Sequence, residues 1–125
     1  MDKETLDHIS NVLRLGTVTW SGRSECLRRA RRYVIEGQTK KGKPVRKLHW
    51  QCATCMNWFR NESDMEVDHI IEIGKRPSSV DELLAYIKRM YCEQDNLQAL
   101  CVSCHLKKTG TFVASQKFTR KVKGE

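Results

Sequence analysis

The stretch "CVSCH", Cys101–His105, repeats a spacing already present in "QCATC", Gln51–Cys55: two cysteines with two residues between them, twice in one chain of 125 residues. Zinc prefers four soft or borderline ligands in a tetrahedron, and thiolates on two tight knuckles supply that geometry without strain. Cys52, Cys55, Cys101 and Cys104 are therefore the expected ligands of a structural zinc. A rubredoxin-like iron site would use similar ligands, "CVSCH" taken alone also fits covalent haem attachment, and four thiols can instead pair as disulfides. Between the knuckles lie 45 residues, more than a short zinc ribbon contains. The shared ion would thus close a long loop around "VDH", Val67–His69.

The compartment bears on that choice. The start, "MDKETLDHIS", lacks the apolar stretch of a secretory signal, and no apolar run approaches the roughly 20 residues of a membrane span. A cytoplasmic setting is the expectation, with no membrane partner; there, cysteines at metal spacing bind metal more often than they form disulfides. Hydrophobic residues make up 39% and mean hydropathy is −0.60, so the expected core is modest and one domain is expected over 1–125. Its expected parts are N-terminal helices and a basic linker over 1–47, the metal-bearing core over 48–108 and a basic tail over 109–125. Cys26 and Cys92 fall outside the knuckles and read as small buried residues.

Charge is concentrated. The chain carries a net +8, and between Arg23 and Lys47 ten Lys or Arg face only Glu25 and Glu36, a local excess as large as that of the whole chain. A focused positive field favours a polyanion, because each neutralised phosphate releases condensed counterions. Charge alone does not choose between DNA, RNA and an anionic membrane face. In "WSGRSECLRRARRYVIEG" a helix is expected, with Leu27, Ala30 and Val34 on one face, Gly37 as its stop, and Arg28, Arg29, Arg31 and Arg32 placed to contact a phosphate backbone. "GQTKKGKPVRK" carries Gly, Pro and Lys and reads as a mobile linker that can also follow a phosphate backbone.

Further elements come from periodicity. Leu6, Ile9, Val12 and Leu13 recur at helical spacing and stop near Gly16. "LHWQCATCMNWF" reads as two short strands joined by the first knuckle, with Trp50, Trp58 and Phe59 expected in the core around the ion and His49 a strand residue beside it; His8 reads as helix surface. "MEVDHIIEI" is a β-branched run suited to a strand. "PSSVDELLAYIKRMYC" opens with a Ser-x-x-Asp capping pattern, Ser78 to Asp81 or Ser79 with Glu82, and puts Leu83, Leu84, Ile87 and Met90 on one helix face. "NLQALC" is a second strand, "CHLKKT" begins a helix, and the basic tail after Gly110 is expected to be poorly ordered.

In order, Cys-x-x-Cys, Asp68-His69, Asn96 and Cys-x-x-Cys-His105 resemble the HNH endonuclease family, in particular its small zinc-bearing phage type. The resemblance covers about Leu48 to Lys108, and Trp20 to Arg32 is similar to the basic helix preceding the core in such enzymes. It implies an α+β fold: a ββα-metal core with a four-cysteine structural zinc site, preceded by N-terminal basic helices. A strand would carry Asp68 and His69, a loop would come next, Asn96 would lead into a second strand, and a helix would present His105. Implied with it are hydrolysis of double-stranded DNA to 5′-phosphate ends and work beside a phage terminase in genome packaging.

The residues can be read for chemistry as well. Neighbours on a strand point to opposite sides, so Asp68 and His69 divide labour rather than share one ion. A hard carboxylate at Asp68 suits Mg²⁺ or Mn²⁺, with Ni²⁺ a third candidate, and His105 can add a nitrogen ligand. His69 is then the general base that takes a proton from water. Asn96 can donate and accept at once, which suits pinning the loop that carries His69; in some relatives the corresponding Asn is a metal ligand. His105 could instead replace a cysteine at the zinc. Glu66 and Glu72 are assigned no role. The competing reading is a noncatalytic zinc module that binds nucleic acid, which leaves Asp68, His69 and His105 unexplained.

Overall fold

The computed structural model describes residues 1–110; the tail expectation beyond Gly110 lies outside them. The fold is mixed α and β with two small sheets, and it divides into two compact units. No helix among the described residues is long and apolar enough to cross a membrane.

The first unit comprises Met1–Arg29 and Val67–Gln98. Helix α1 (Lys3–Gly16) starts where the Asp2 carboxylate accepts from the Thr5 amide at 2.7 Å, filling one of the donors a helix start leaves open. Its inner face is Leu6, Ile9, Ser10 and Leu13, whereas Val12, expected among them, is 53% exposed. Ser10 is fully buried because its hydroxyl donates to the Leu6 carbonyl. Helix α2 is Ser21–Arg29, and α3 is Val80–Met90. The α3 entry differs from a simple capping box: the Glu82 carboxylate accepts from both the amide and the hydroxyl of Ser78. Tyr86 and Met90 are fully buried on α3, while Leu84 faces solvent. The Tyr86 hydroxyl can go inside because Arg14 Nε donates to it at 2.7 Å, so burial leaves no polar atom unsatisfied. Leu27 and Leu97 are buried in the same unit, as is Cys26, whose thiol burial pushes up to about 11.

The second unit comprises Ala30–Glu66 and, within the described residues, 99–110. Here the sequence expectation fails in an informative place. The helix expected to run to Gly37 stops at Arg29, and Arg31–Gln38 is a strand, β1. The segment expected as a linker is the other half of a hairpin: β2 (Pro44–Gln51) pairs antiparallel with β1, Arg31 opposite Trp50, Tyr33 opposite Leu48 and Ile35 opposite Arg46. Arg31 and Arg32 are thus strand residues. β-Branched Val34 and Ile35 beside Tyr33 fit a pleated ladder better than a helix surface. Gly42, at φ +82, supplies the left-handed turn residue at the tip, where the Thr39 amide also donates to the Lys43 carbonyl. β2 continues into β3 (Trp58–Phe59) through the first knuckle, as expected. Trp50 is buried and Phe59 half-buried, but Trp58 is 41% exposed, so it is not a core residue.

β4 (Met65–His69) and β5 (Leu97–Cys101) form the second sheet, and a helix over 102–110, α4, comes directly after β5. β4 is shorter than the expected run to Ile73. It ends at His69, and Ile70 and Ile71 are exposed.

Candidate metal centre and the Asp68–His69 loop

Each knuckle places its sulfurs by backbone geometry. At the first, the Cys52 amide donates to the Asn57 carbonyl and the Met56 amide to the Cys52 carbonyl, both at 3.0 Å, folding Cys52–Cys55 into a tight turn. At the second, Cys101 ends β5 and Cys104 lies in the first turn of α4, its amide donating to Cys101 Sγ at 3.4 Å. The Ala53 amide donates to the Ala99 carbonyl at 2.9 Å, binding the first knuckle to β5. All four sulfurs then lie within 4.8 Å of one another, Cys55 and Cys101 at 4.0 Å.

Those distances fit a metal. Zinc–sulfur bonds of about 2.3 Å imply sulfur–sulfur edges of about 3.8 Å in a tetrahedron, and all six cysteines are free thiols. Burial alone would raise the Cys52 thiol, but backbone hydrogen bonds from Cys101, Cys55 and Thr54 outweigh it and hold it down to about 6. Cys104 is pushed up to about 12, chiefly by its hydrogen bond with Cys101 and then by burial and the nearby Cys52 and Cys55 sulfurs. Four thiolates this close repel one another, so deprotonating all of them calls for a cation in their midst. The cluster can hold a structural metal ion such as zinc. Cys26 and Cys92 stand outside it, and Cys92 Sγ instead accepts from Asn96 Nδ2 at 3.7 Å.

Asp68, His69 and Asn96 belong to the first unit. Asn96 grips the chain just past His69: the Ile70 amide donates to its carbonyl at 2.9 Å, the Ile71 amide to its Oδ1 at 2.8 Å, and its Nδ2 donates to the Ile71 carbonyl at 3.2 Å. This clamp takes Ile71 out of any ladder and accounts for the early end of β4. His69 Nε2 lies 2.7 Å from the Met90 carbonyl. A carbonyl only accepts, so Nε2 carries the proton and Nδ1 is the basic nitrogen of the ring. Asp68 is buried, and Gln98 Nε2 donates to its Oδ2 at 2.9 Å.

His105 belongs to the second unit, on α4, and its Nδ1 pairs with the Glu66 carboxylate. Glu66 and Gln98 are the partners that sequence reading left out. Glu66 stands two residues before Asp68 on β4, and Gln98 one residue into β5; that alternation was the available signal. Among the described residues, the four cysteines are the one group of three or more His, Cys, Asp or Glu side chains close enough to share an ion. His49 is buried on β2 and pairs through Nε2 with Glu36 at 2.8 Å. On α2, Arg28 and Arg29 are both tied to Glu25, at 2.6 and 3.1 Å, and they hold its carboxyl down to about 2, Arg28 contributing most.

Comparison of the chain with protein-family models, with curated proteins and with solved structures gives no match.

Proposed function

We propose that this chain is a metal-dependent endonuclease of the HNH type, hydrolysing phosphodiester bonds of double-stranded DNA, with a ββα-metal core stapled by zinc at Cys52, Cys55, Cys101 and Cys104. One observation carries the reading: a histidine next to a buried aspartate at a strand end, its Nε2–H directed at a backbone carbonyl and the loop after it clamped by an asparagine. A general base needs one ring nitrogen unprotonated, and a carbonyl partner on Nε2–H leaves the neutral ring protonated there and basic at Nδ1. The sequence resemblance assigns a divalent cation, Mg²⁺, Mn²⁺ or Ni²⁺, to Asp68 and His105; these residues would hold it, and it would supply Lewis-acid polarisation of the phosphate and of the departing oxygen.

The chain's own side chains move the proton and hold the ligands. His69 Nδ1 takes a proton from a water molecule, the water oxygen bonds to phosphorus, and the bond from phosphorus to the 3′ oxygen breaks. The products are a 5′-phosphate and a 3′ oxygen reprotonated from solvent. Glu66 pairs with His105 Nδ1 and orients the ring. Gln98 steadies Asp68. Work beside a phage terminase is the setting that the sequence resemblance suggests.

Zinc-loaded protein incubated with supercoiled plasmid and Mg²⁺, Mn²⁺ or Ni²⁺ is expected to nick or linearise it. His69→Ala should slow cleavage by about 10²- to 10⁴-fold while keeping the zinc-to-protein ratio of the parent. An uncut plasmid in all three metals, with DNA binding retained, would favour the noncatalytic zinc module instead.

A further inference from the structure

Among the described residues, positive charge is concentrated on the β1–β2 hairpin. From Arg31 to Lys47 it carries seven Lys or Arg and one acid, Glu36. That one carboxylate is neutralised: His49 Nε2 lies 2.8 Å from it, and Arg60 grips both its oxygens at 2.9 and 3.0 Å. Lys40, Lys41 and Lys43 cluster at the exposed tip, and Arg46 and Lys47 are exposed on β2. On α2 the balance is different, since Glu25 holds Arg28 and Arg29. One face of the hairpin also exposes Tyr33 and Ile35, at 69% and 61%, with Arg46 directly across from Ile35. An uncovered aromatic and a β-branched side chain ringed by cations suit a partner that is anionic outside and apolar between its charges.

We infer that the β1–β2 hairpin is a DNA-gripping arm: its tip lysines neutralise backbone phosphates while Tyr33, Ile35 and Arg46 face base edges in the major groove. The inference rests on the nuclease reading for the choice of nucleic acid. Shape supports the same choice. Strands of eight residues span about 27 Å, and a two-stranded ribbon fits the major groove of B-form DNA, about 12 Å wide. The major groove of A-form RNA is deep and narrow and does not admit side chains. Gly37, at φ +142, lies where the β1–β2 register shifts between Ile35 and Gln38. Such an irregularity increases local twist and bends the outer part of the hairpin, as tracking a helical groove requires.

The experiment measures binding of full-length, zinc-loaded protein to a duplex oligonucleotide across a salt series, with no other divalent ion added. Each phosphate contact contributes about 0.9 to the slope of log K against log salt, so the triple substitution Lys40→Ala, Lys41→Ala, Lys43→Ala should lower the slope by about 2.7 and weaken binding roughly 10²- to 10³-fold near 0.1 M salt. Tyr33→Ala should weaken binding while leaving the slope unchanged. Unaltered circular dichroism and zinc content certify the fold of each variant, and Lys88→Ala on α3 serves as the charge control. A triple variant with the parental slope overturns the arm, as does tighter binding of single-stranded RNA than of duplex by the parent. Failure of the nuclease reading shows separately: the parent then binds duplex with the full slope but cuts plasmid in no metal.

Discussion

The two knuckles have the same cysteine spacing and opposite backbones. Cys52–Cys55 closes a hairpin between β2 and β3, and the residue after it, Met56, is forced to φ +63. Cys101–Cys104 converts a strand into a helix, and the residue after it, His105, continues in that helix. Spacing therefore specifies the ligand cluster but not the path of the chain, which is decided by the residues after each pair: Met-Asn-Trp-Phe returns as a strand, His-Leu-Lys-Lys continues as a helix. The first knuckle ties the basic hairpin to the cluster. The second carries His105 directly into α4.

Removing the ion is the harshest test of that difference. Structural zinc in small peptides is worth about 10 to 16 kcal/mol at neutral pH, and apart from cysteines the buried residues of the second unit, among the described residues, are His49, Trp50, Met65, Ala99 and Leu100. A strong chelator should abolish amide-exchange protection in β1, β2 and β5 from Ala99 onward. The first unit, packed around Leu6, Leu27, Tyr86 and Met90, should keep protected helices. Equal protection of the second unit with and without chelator would remove the ion from the folding account.

A smaller effect isolates the second knuckle. If it exists to position His105, then Glu66, which holds the ring, acts as a positioning residue. Glu66→Gln should cost about 10- to 100-fold in cleavage rate, as loss of an outer partner of a ligand histidine usually does, and should raise the divalent concentration needed for half-maximal cleavage. Zinc content should stay at the parental ratio. A fall in zinc content parallel to the loss of cleavage would make Glu66 part of the fold rather than of the ligand's orientation.

How far these features could be read in advance depended on their range. Cys52, Cys55, Cys101 and Cys104 were legible because ligand identity and local spacing are written in the chain, and the strands holding them could be read from short apolar runs. The hairpin was not. Leu27, Ala30 and Val34 fit a helix by spacing, and only pairing with Pro44–Gln51, a segment no local window contains, turns Arg31–Gln38 into a strand. One position on the inner face of α3 differs for a similar reason: Leu83, Ile87 and Met90 turn inward as their spacing implies, but Leu84 is exposed, and Tyr86 goes inside because Arg14 on α1 donates to its hydroxyl. Asp68, His69 and Asn96 could be named from sequence, whereas Met90 and Ile71, the partners of His69 and Asn96, lie 21 and 25 positions away and leave no local trace; Gln98, the partner of Asp68, is signalled only by the alternation along β5.

The finest test separates the knuckles by sign. A left-handed backbone costs an L-residue about 1 to 2 kcal/mol, and glycine adopts it freely. Met56 meets that cost with a side chain 57% exposed, so little burial is lost on its removal. Met56→Gly should therefore stabilise the zinc-loaded protein, by about 0.5 to 1 kcal/mol once the greater chain freedom of unfolded glycine is subtracted. Leu106, on the helix after the second knuckle, is 63% exposed, and there glycine forfeits helix propensity, so Leu106→Gly should destabilise by about 1 kcal/mol. Denaturant midpoints moving in opposite directions establish that one cysteine spacing is held by two backbone solutions. Two losses of similar size would mean that Met56 contributes contacts outweighing its strained φ, and that the turn is stabilised by its side chain rather than merely tolerated.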